Sequence, residues 1–184
     1  MTFQDDKRYV SLSGTARLTR DRALVERLWQ EITEARYGML GVVGSHDHFQ
    51  PMAVFPEREA STLWFFTRKD TEIARAAQDA NTEAMFILQS KDQEVQACIG
   101  GRLLQDGSRT VIDQYWNPVV AAWYPKGKDD PTLAILVVTP DAGEYWDQTG
   151  LAGLRYLVSS VKAYAAGTKA PDGTNEEQNA KVRL

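Results

Sequence analysis

Hydrophobic and polar positions change rhythm several times along the chain, and each change marks an element. From Asp21 to Ala35 the apolar residues recur every three or four positions. Val25, Leu28, Trp29 and Ile32 share one stripe, which predicts an amphipathic helix over 21–35 capped by Asp21. Before it, residues 7–18 alternate loosely and predict an extended segment with a bend at Gly14. After it, Met39–Val43 and Pro51–Phe55 predict two short strands joined through the polar Ser45-His46-Asp47-His48-Phe49. Leu63-Trp64-Phe65-Phe66-Thr67 lacks any polar alternation and predicts a strand buried on both faces. It leads into Arg68-Lys69-Asp70-Thr71-Glu72 and an alanine-rich run to Ala80, which predict a helix with Asp70 as its N-cap.

The second half continues in short strands. They are predicted at 83–89, at 94–104 with a bulge at Gly100-Gly101, at 132–139, and in a further piece ending Glu144-Tyr145-Trp146-Asp147. Val111–Trp116 reads as a short helix and 152–166 as a longer one stopped by Gly167. From Thr168 onward Gly, Pro, Asn, Gln and charged residues predominate, predicting disorder. Six or seven short strands joined mostly by short turns favour a closed or partly closed antiparallel barrel over a doubly wound sheet.

Composition narrows the function classes. With 184 residues, 43% of them hydrophobic, the chain can bury one substantial core. A formal net charge of -4 argues against nucleic acid as a partner, because phosphate binding wants a basic face. No apolar run approaches membrane-spanning length, and Met1-Thr2-Phe3-Gln4-Asp5-Asp6 is not a basic segment followed by an apolar one, so no membrane role and a cytoplasmic location are expected. Cys98, the single cysteine, excludes an internal disulfide and is expected to be a buried, inert thiol. His46 and His48 are the only histidines, and two ligands in a polar loop do not close a metal site. Gly38, Gly41 and Gly44 are not spaced as a dinucleotide fingerprint.

Two features could carry chemistry. The 63–80 segment places hydroxyls and two cations where a strand hands over to a helix, which suits an anion as well as an ordinary strand-to-helix junction. Aromatic residues outside the apparent core strands (Tyr115, Trp116, Trp123, Tyr124, Tyr145 and Trp146) suit caps on a barrel, a subunit interface, or walls for a flat ligand such as a flavin.

The order of several unusual blocks sharpens this. Gln50-Pro51-Met52-Ala53, then Leu63-Trp64-Phe65-Phe66-Thr67, Leu103–Asp113, Tyr115-Trp116-Asn117-Pro118, Trp123-Tyr124-Pro125-Lys126-Gly127-Lys128-Asp129-Asp130-Pro131 and Glu144-Tyr145-Trp146-Asp147 together resemble the general stress protein 26 family. That family belongs to the FMN-binding split-barrel proteins related to pyridoxamine 5'-phosphate oxidase. The resemblance covers about residues 22–166. It implies a mainly β fold with flanking helices, a six-stranded antiparallel Greek-key split β-barrel over 21–166, with 1–20 an N-terminal extension and 167–184 a disordered C-terminal tail. It also implies a homodimer with FMN, or FAD, at the subunit interface. Gln50, Pro51, Met52 and Ala53 would hold the flavin, Phe65, Phe66 and Thr67 would form a second wall, Thr71 would reach the phosphate, and Trp116 and Trp123 would cover the ring.

The chain departs from this pattern at two positions. Gln50 stands where the family usually has Arg, and Ile73 where it usually has Lys. Each lost charge-assisted contact is worth about 1.5–3 kcal/mol. Arg68 and Lys69 are the substitutes at hand. The implied role is a stress-associated flavin-binding protein; the alternatives are a flavin-dependent oxidoreductase of the pyridoxamine 5'-phosphate oxidase type acting on a small substrate, and a flavin-free dimeric binding module.

Overall fold

The computed structural model describes residues 14–92, 94–147 and 179–183. The first element is α1 (Gly14–Ala35), followed by β1 (Tyr37–Val42), β2 (Gln50–Ala53), β3 (Phe55–Glu57), β4 (Thr62–Arg68), α2 (Glu72–Ala76), β5 (Glu83–Gln89) and β6 (Val95–Asp106). Then come α3 (Arg109–Tyr115), α4 (Pro118–Ala121), a 3-10 turn (Gly127–Asp129), β7 (Leu133–Asp147) and β8 (Asn179–Arg183). The strands form one antiparallel sheet in the order β2-β1-β5-β6-β7-β4-β3, with β8 added against β7.

The sheet must curl. β2 and β3 stand at opposite ends of the strand order, yet only Val54 separates them in sequence. One residue advances the chain by about 3.8 Å, so the two edges are brought together. Val54 is buried, and its N–H donates to the Arg36 carbonyl at 2.9 Å, which fixes the closure. β2 and β3 are not paired with each other, so the barrel stays split along that seam.

Strand alternation sorts the side chains into two cores. Leu63, Phe65, Leu136, Val138, Phe86, Ile99 and Leu103 point inward, joined by Leu28, Trp29 and Ile32 of α1 and by Ile73, Ala74 and Ala77. Fully burying each large apolar side chain contributes about 1.5–3 kcal/mol. On the outer side, Trp64 of β4 and Leu133, Ile135 and Val137 of β7 are covered by Val111 and Ile112 of α3, Val120 of α4 and Tyr124. β4 and the 133–138 part of β7 are therefore buried on both faces, as the unbroken apolar run of β4 predicts.

Several elements differ from the sequence reading. The strand count is seven along the barrel path plus β8, not six. Residues 14–18, read as extended, belong to α1. The expected Pro51–Phe55 strand divides at Val54 because the chain changes sheet edges there. The helix after β4 spans only Glu72–Ala76, and Thr71 caps it instead of Asp70, accepting from the Ala74 N–H. α4 was not foreseen. β7 is one continuous strand where two were expected, because the register shift opposite Gly100/Gly101 absorbs Asp141 as the unpaired residue. Within the tail expected to be disordered, Asn179–Arg183 pairs with Ala142–Trp146. The helix expected at 152–166 lies outside the described residues, as do residues 1–13.

Candidate functional site at the β4–α2 junction and the outer sheet face

β4 delivers the junction. Thr67 pairs with Ala134 on the inward side, while Arg68 pairs with Leu133 on the outward side. The chain then turns: the Thr71 N–H donates to the Arg68 carbonyl at 3.2 Å, and the Lys69 N–H to the Thr132 carbonyl at 2.8 Å. The Thr71 hydroxyl donates to the same Arg68 carbonyl at 2.8 Å, accepts from the Ala74 N–H at 3.3 Å, and lies 3.3 Å from the Thr67 hydroxyl. Tyr124, from the loop after α4, donates its buried hydroxyl to the Thr67 carbonyl at 2.8 Å. Burial pushes that phenol up to about 12.

The cations and carboxylates of the junction are paired with each other. Arg68 forms a two-pronged pair with Asp70, Nε to Oδ1 at 3.0 Å and Nη2 to Oδ2 at 2.9 Å. The pair holds the Asp70 carboxyl below its usual range and raises Arg68. Asp130 adds a further negative charge near Arg68. Arg75 Nη1 donates to the Asp70 carbonyl at 2.6 Å. The β1–β2 loop reaches the same place: Asp47 accepts from the Ser45 hydroxyl at 2.7 Å and feels the Arg75 charge, so its carboxyl is held low. Lys69 is exposed and makes no ion pair among the described residues. Asp130, buried behind the turn, accepts from the Thr132 N–H at 2.9 Å and hydroxyl at 2.6 Å, and is likewise held low.

The residues singled out from sequence separate into groups. Met52 lies buried in the inner core, with Gln50 on the same side of β2, while Pro51 pairs with the outward-facing Met39. Ala53 is half-buried. Phe65 is fully buried and stacks obliquely on Phe86 at 5.3 Å between centroids, so it offers a ligand only its backbone. Phe66 faces outward and meets the edges of Phe55 at 5.4 Å and Trp116 at 6.3 Å. Trp116 also leans on Tyr124 at 6.1 Å and belongs to the outer core. Trp123 differs: 75% of it is exposed. Ile73, at the family's lysine position, is packed in the inner core at 2% exposure. Sequence reasoning missed the structural tasks of Tyr124 and Asp130; for the latter the Asp-x-Thr spacing of a side-chain-capped turn was the available signal.

A second feature adjoins β2. The helices α3 and α4 cover the outer face over β3, β4, β7 and the Leu104 end of β6. Over β1 and β5 that face carries Tyr37, Met39, Met85 and Ile87, each at least 38% exposed. Register places Met39 beside Pro51 and Ile87, and Ile87 beside Cys98. Cys98 is thus half-buried on this face, with its Sγ 3.8 Å from Met85 Sδ, and not the interior thiol expected. Phe49 folds over Gly41, where a Cβ would meet its ring at 2.7 Å.

A split barrel of this topology, with its strand-to-helix turn beside the seam, defines the pyridoxamine 5'-phosphate oxidase-like class, and the model of that family matches residues 25–172. The chain belongs to the pyridoxamine 5'-phosphate oxidase-like family. Among solved structures it is similar to a candidate general stress protein 26 from Jannaschia sp. CCS1, with 28% identity and a TM-score of 0.68 over 89% of this chain and 99% of that one. It is also similar to the general stress FMN/FAD binding protein of Xanthomonas citri, at 34% identity and a TM-score of 0.65, covering 70% of this chain and 92% of that one. A candidate general stress family protein of Xanthomonas campestris pv. campestris shares 36% identity at a TM-score of 0.63, covering 70% and 90% of the two chains. No curated protein matches this chain. Among the described residues no helix is long and apolar enough to cross a membrane.

Proposed function

We propose that this chain is a cytoplasmic, stress-associated flavin-binding protein that works as a homodimer, with the isoalloxazine ring held where two barrels meet. The observation that carries the reading is the uncovered apolar face of β1 and β5 alongside Pro51 of β2. Specific interfaces bury about 800 Å² per partner, and an exposed cluster of Tyr, Met and Ile on a sheet is the kind of surface that does so. The name of the Xanthomonas citri relative, an FMN/FAD binding protein, supports the ligand class.

The residues present fit the ring. Pro51 with the backbone of Met52 and Ala53 offers one edge, the strand backbone at Phe66 and Thr67 a second, and the largely exposed indole of Trp123 is free to lie over a flat heterocycle from across the interface, with Trp116 behind it. A bound flavin would supply redox chemistry of its own; the protein's part is to orient the ring and keep water from it. The phosphate end is a different matter, because Gln50 is neutral and Ile73 is in the core.

The test is direct. Purified protein incubated with excess riboflavin and with excess FMN is desalted, and its visible absorption and sedimentation are measured. A yellow dimer is expected. A colourless protein after both incubations, or a monomer at all concentrations, overturns the reading.

A further inference from the structure

We propose that the β4–α2 junction discriminates against a terminal phosphate, so that the flavin this chain takes is the phosphate-free form, riboflavin, in preference to FMN or FAD. The inference rests on the flavin reading above and adds which member of the class is selected.

The occupied guanidinium edge and the charge balance at the junction carry it. A phosphate needs surplus positive charge, best offered as a guanidinium edge free to take two of its oxygens. The Thr71 hydroxyl has one proton and gives it to the Arg68 carbonyl at 2.8 Å. With that proton committed, the Thr67–Thr71 contact at 3.3 Å is made by the Thr67 proton, so neither hydroxyl has one left for a ligand. Both oxygens of Asp70 occupy the Nε–Nη2 edge of Arg68, the edge that would otherwise grip a phosphate in two-pronged fashion. Arg75 is turned onto the Asp70 carbonyl at 2.6 Å. Ile73 is 2% exposed in the inner core and cannot be exchanged for a cation by a rotamer change.

Charge points the same way. Arg68, Lys69 and Arg75, of which Lys69 makes no ion pair among the described residues, stand against Asp47, Asp70, Glu72 and Asp130, three cations against four carboxylates, so no positive charge is left over for a phosphate dianion. Asp70 already occupies the position on Arg68 that a phosphate would take, since carboxylate and phosphate present the same pair of oxygens to a guanidinium. Riboflavin, whose ribityl chain ends in a hydroxyl, asks for no cation there.

Affinities of riboflavin and FMN for the full chain, measured by quenching of flavin fluorescence at low and high salt, test the proposal. Riboflavin is expected to bind at least as tightly as FMN, and FMN affinity is expected not to fall as salt rises, since no net positive field draws it in. Asp70→Asn opens the Arg68 fork and removes one carboxylate, and is expected to tighten FMN by about fivefold, the scale of one exposed ion pair, while riboflavin moves by less than about twofold. Adding Arg68→Gln to that variant is expected to cancel the gain. Wild-type FMN binding tighter than riboflavin, or FMN affinity unchanged by Asp70→Asn, overturns the proposal and leaves the flavin reading standing. Failure of both flavins to bind wild-type protein overturns the flavin reading, and this inference with it.

Discussion

At the scale of single residues, Tyr124 ties the aromatic loop to the site. Its hydroxyl is the only side-chain link described between that loop and the Thr67 carbonyl, and it is buried. Removing it in Tyr124→Phe should cost about 1 kcal/mol, read as a lower denaturant midpoint with an unchanged slope. The phenol's pKa is raised from an unfolded value of about 10 to about 12 in the folded protein. Its contribution is therefore complete below the unfolded value and lost as pH climbs through that window, because the unfolded chain gives up the proton first. Chemical denaturation between those pH values should show a decline in stability that Tyr124→Phe lacks. Asp70 teaches a related lesson about reading residues. Its position suggests a helix cap, but a neighbouring arginine claims the carboxylate and the adjacent threonine takes over the capping.

Among elements, β6 and β7 form the longest pairing, and its irregularity has a local cause. A Cβ at Gly101 would lie 2.3 Å from the Thr139 carbonyl oxygen and 2.8 Å from the Pro140 Cα, so only glycine admits the approach that absorbs Asp141. Gly101→Ala should force the backbones apart and cost about 1–3 kcal/mol, measurable by thermal or denaturant unfolding. Legibility from sequence followed the same local logic. β5 was read with its correct bounds because the apolar run Ala84-Met85-Phe86-Ile87-Leu88 is closed by a polar residue at each end; that Met85 and Ile87 face outward was not legible, since nothing in the run alternates. β4 was legible because both its faces are apolar. Pro140-Asp141-Ala142-Gly143 looks like a strand break, and only the partner strand reveals that it is not one. α4 carries its own signals, an Asn117 side chain accepting from the N–H groups of Val119 and Val120 and a proline at the first helical position, and these were there to be read. Which way α3 and α4 fold is another matter. That choice places Trp116 in the outer core and leaves Trp123 exposed, and it depends on contacts distant in sequence.

For the whole molecule, the division of the outer surface matters most. Among the described residues, one half is roofed by α3 and α4, while the other presents Tyr37, Met39, Met85 and Ile87 to the outside. Ile87 is 40% exposed at the middle of that second half, with Met39 and Cys98 as cross-strand neighbours. Ile87→Arg should therefore leave the isolated fold within about 0.5 kcal/mol of wild type, as exposed positions generally do. In the proposed dimer the same change buries an unpaired charge, and sedimentation should show monomers with a native circular dichroism spectrum. Flavin affinity should fall with the dimer, because the ring would lose the wall supplied by the second copy. A dimer that survives the substitution would place the contact elsewhere on the surface.

The one-residue tether at Val54 has a consequence for how ligand preference and robustness are divided. The strip that runs through Gln50–Ala53 is joined through Val54 to β3, and β3 is hydrogen-bonded to β4, the strand that carries Thr67, so their spacing is set by one covalent step and one strand pairing and not by the interior alone. Softening the interior, for example by trimming Phe86 or Leu103, should lower the melting temperature while the ratio of riboflavin to FMN affinity stays put. Lengthening the tether by a residue should do the reverse of what a core defect does: it would let the rims of the barrel drift and blur that ratio first.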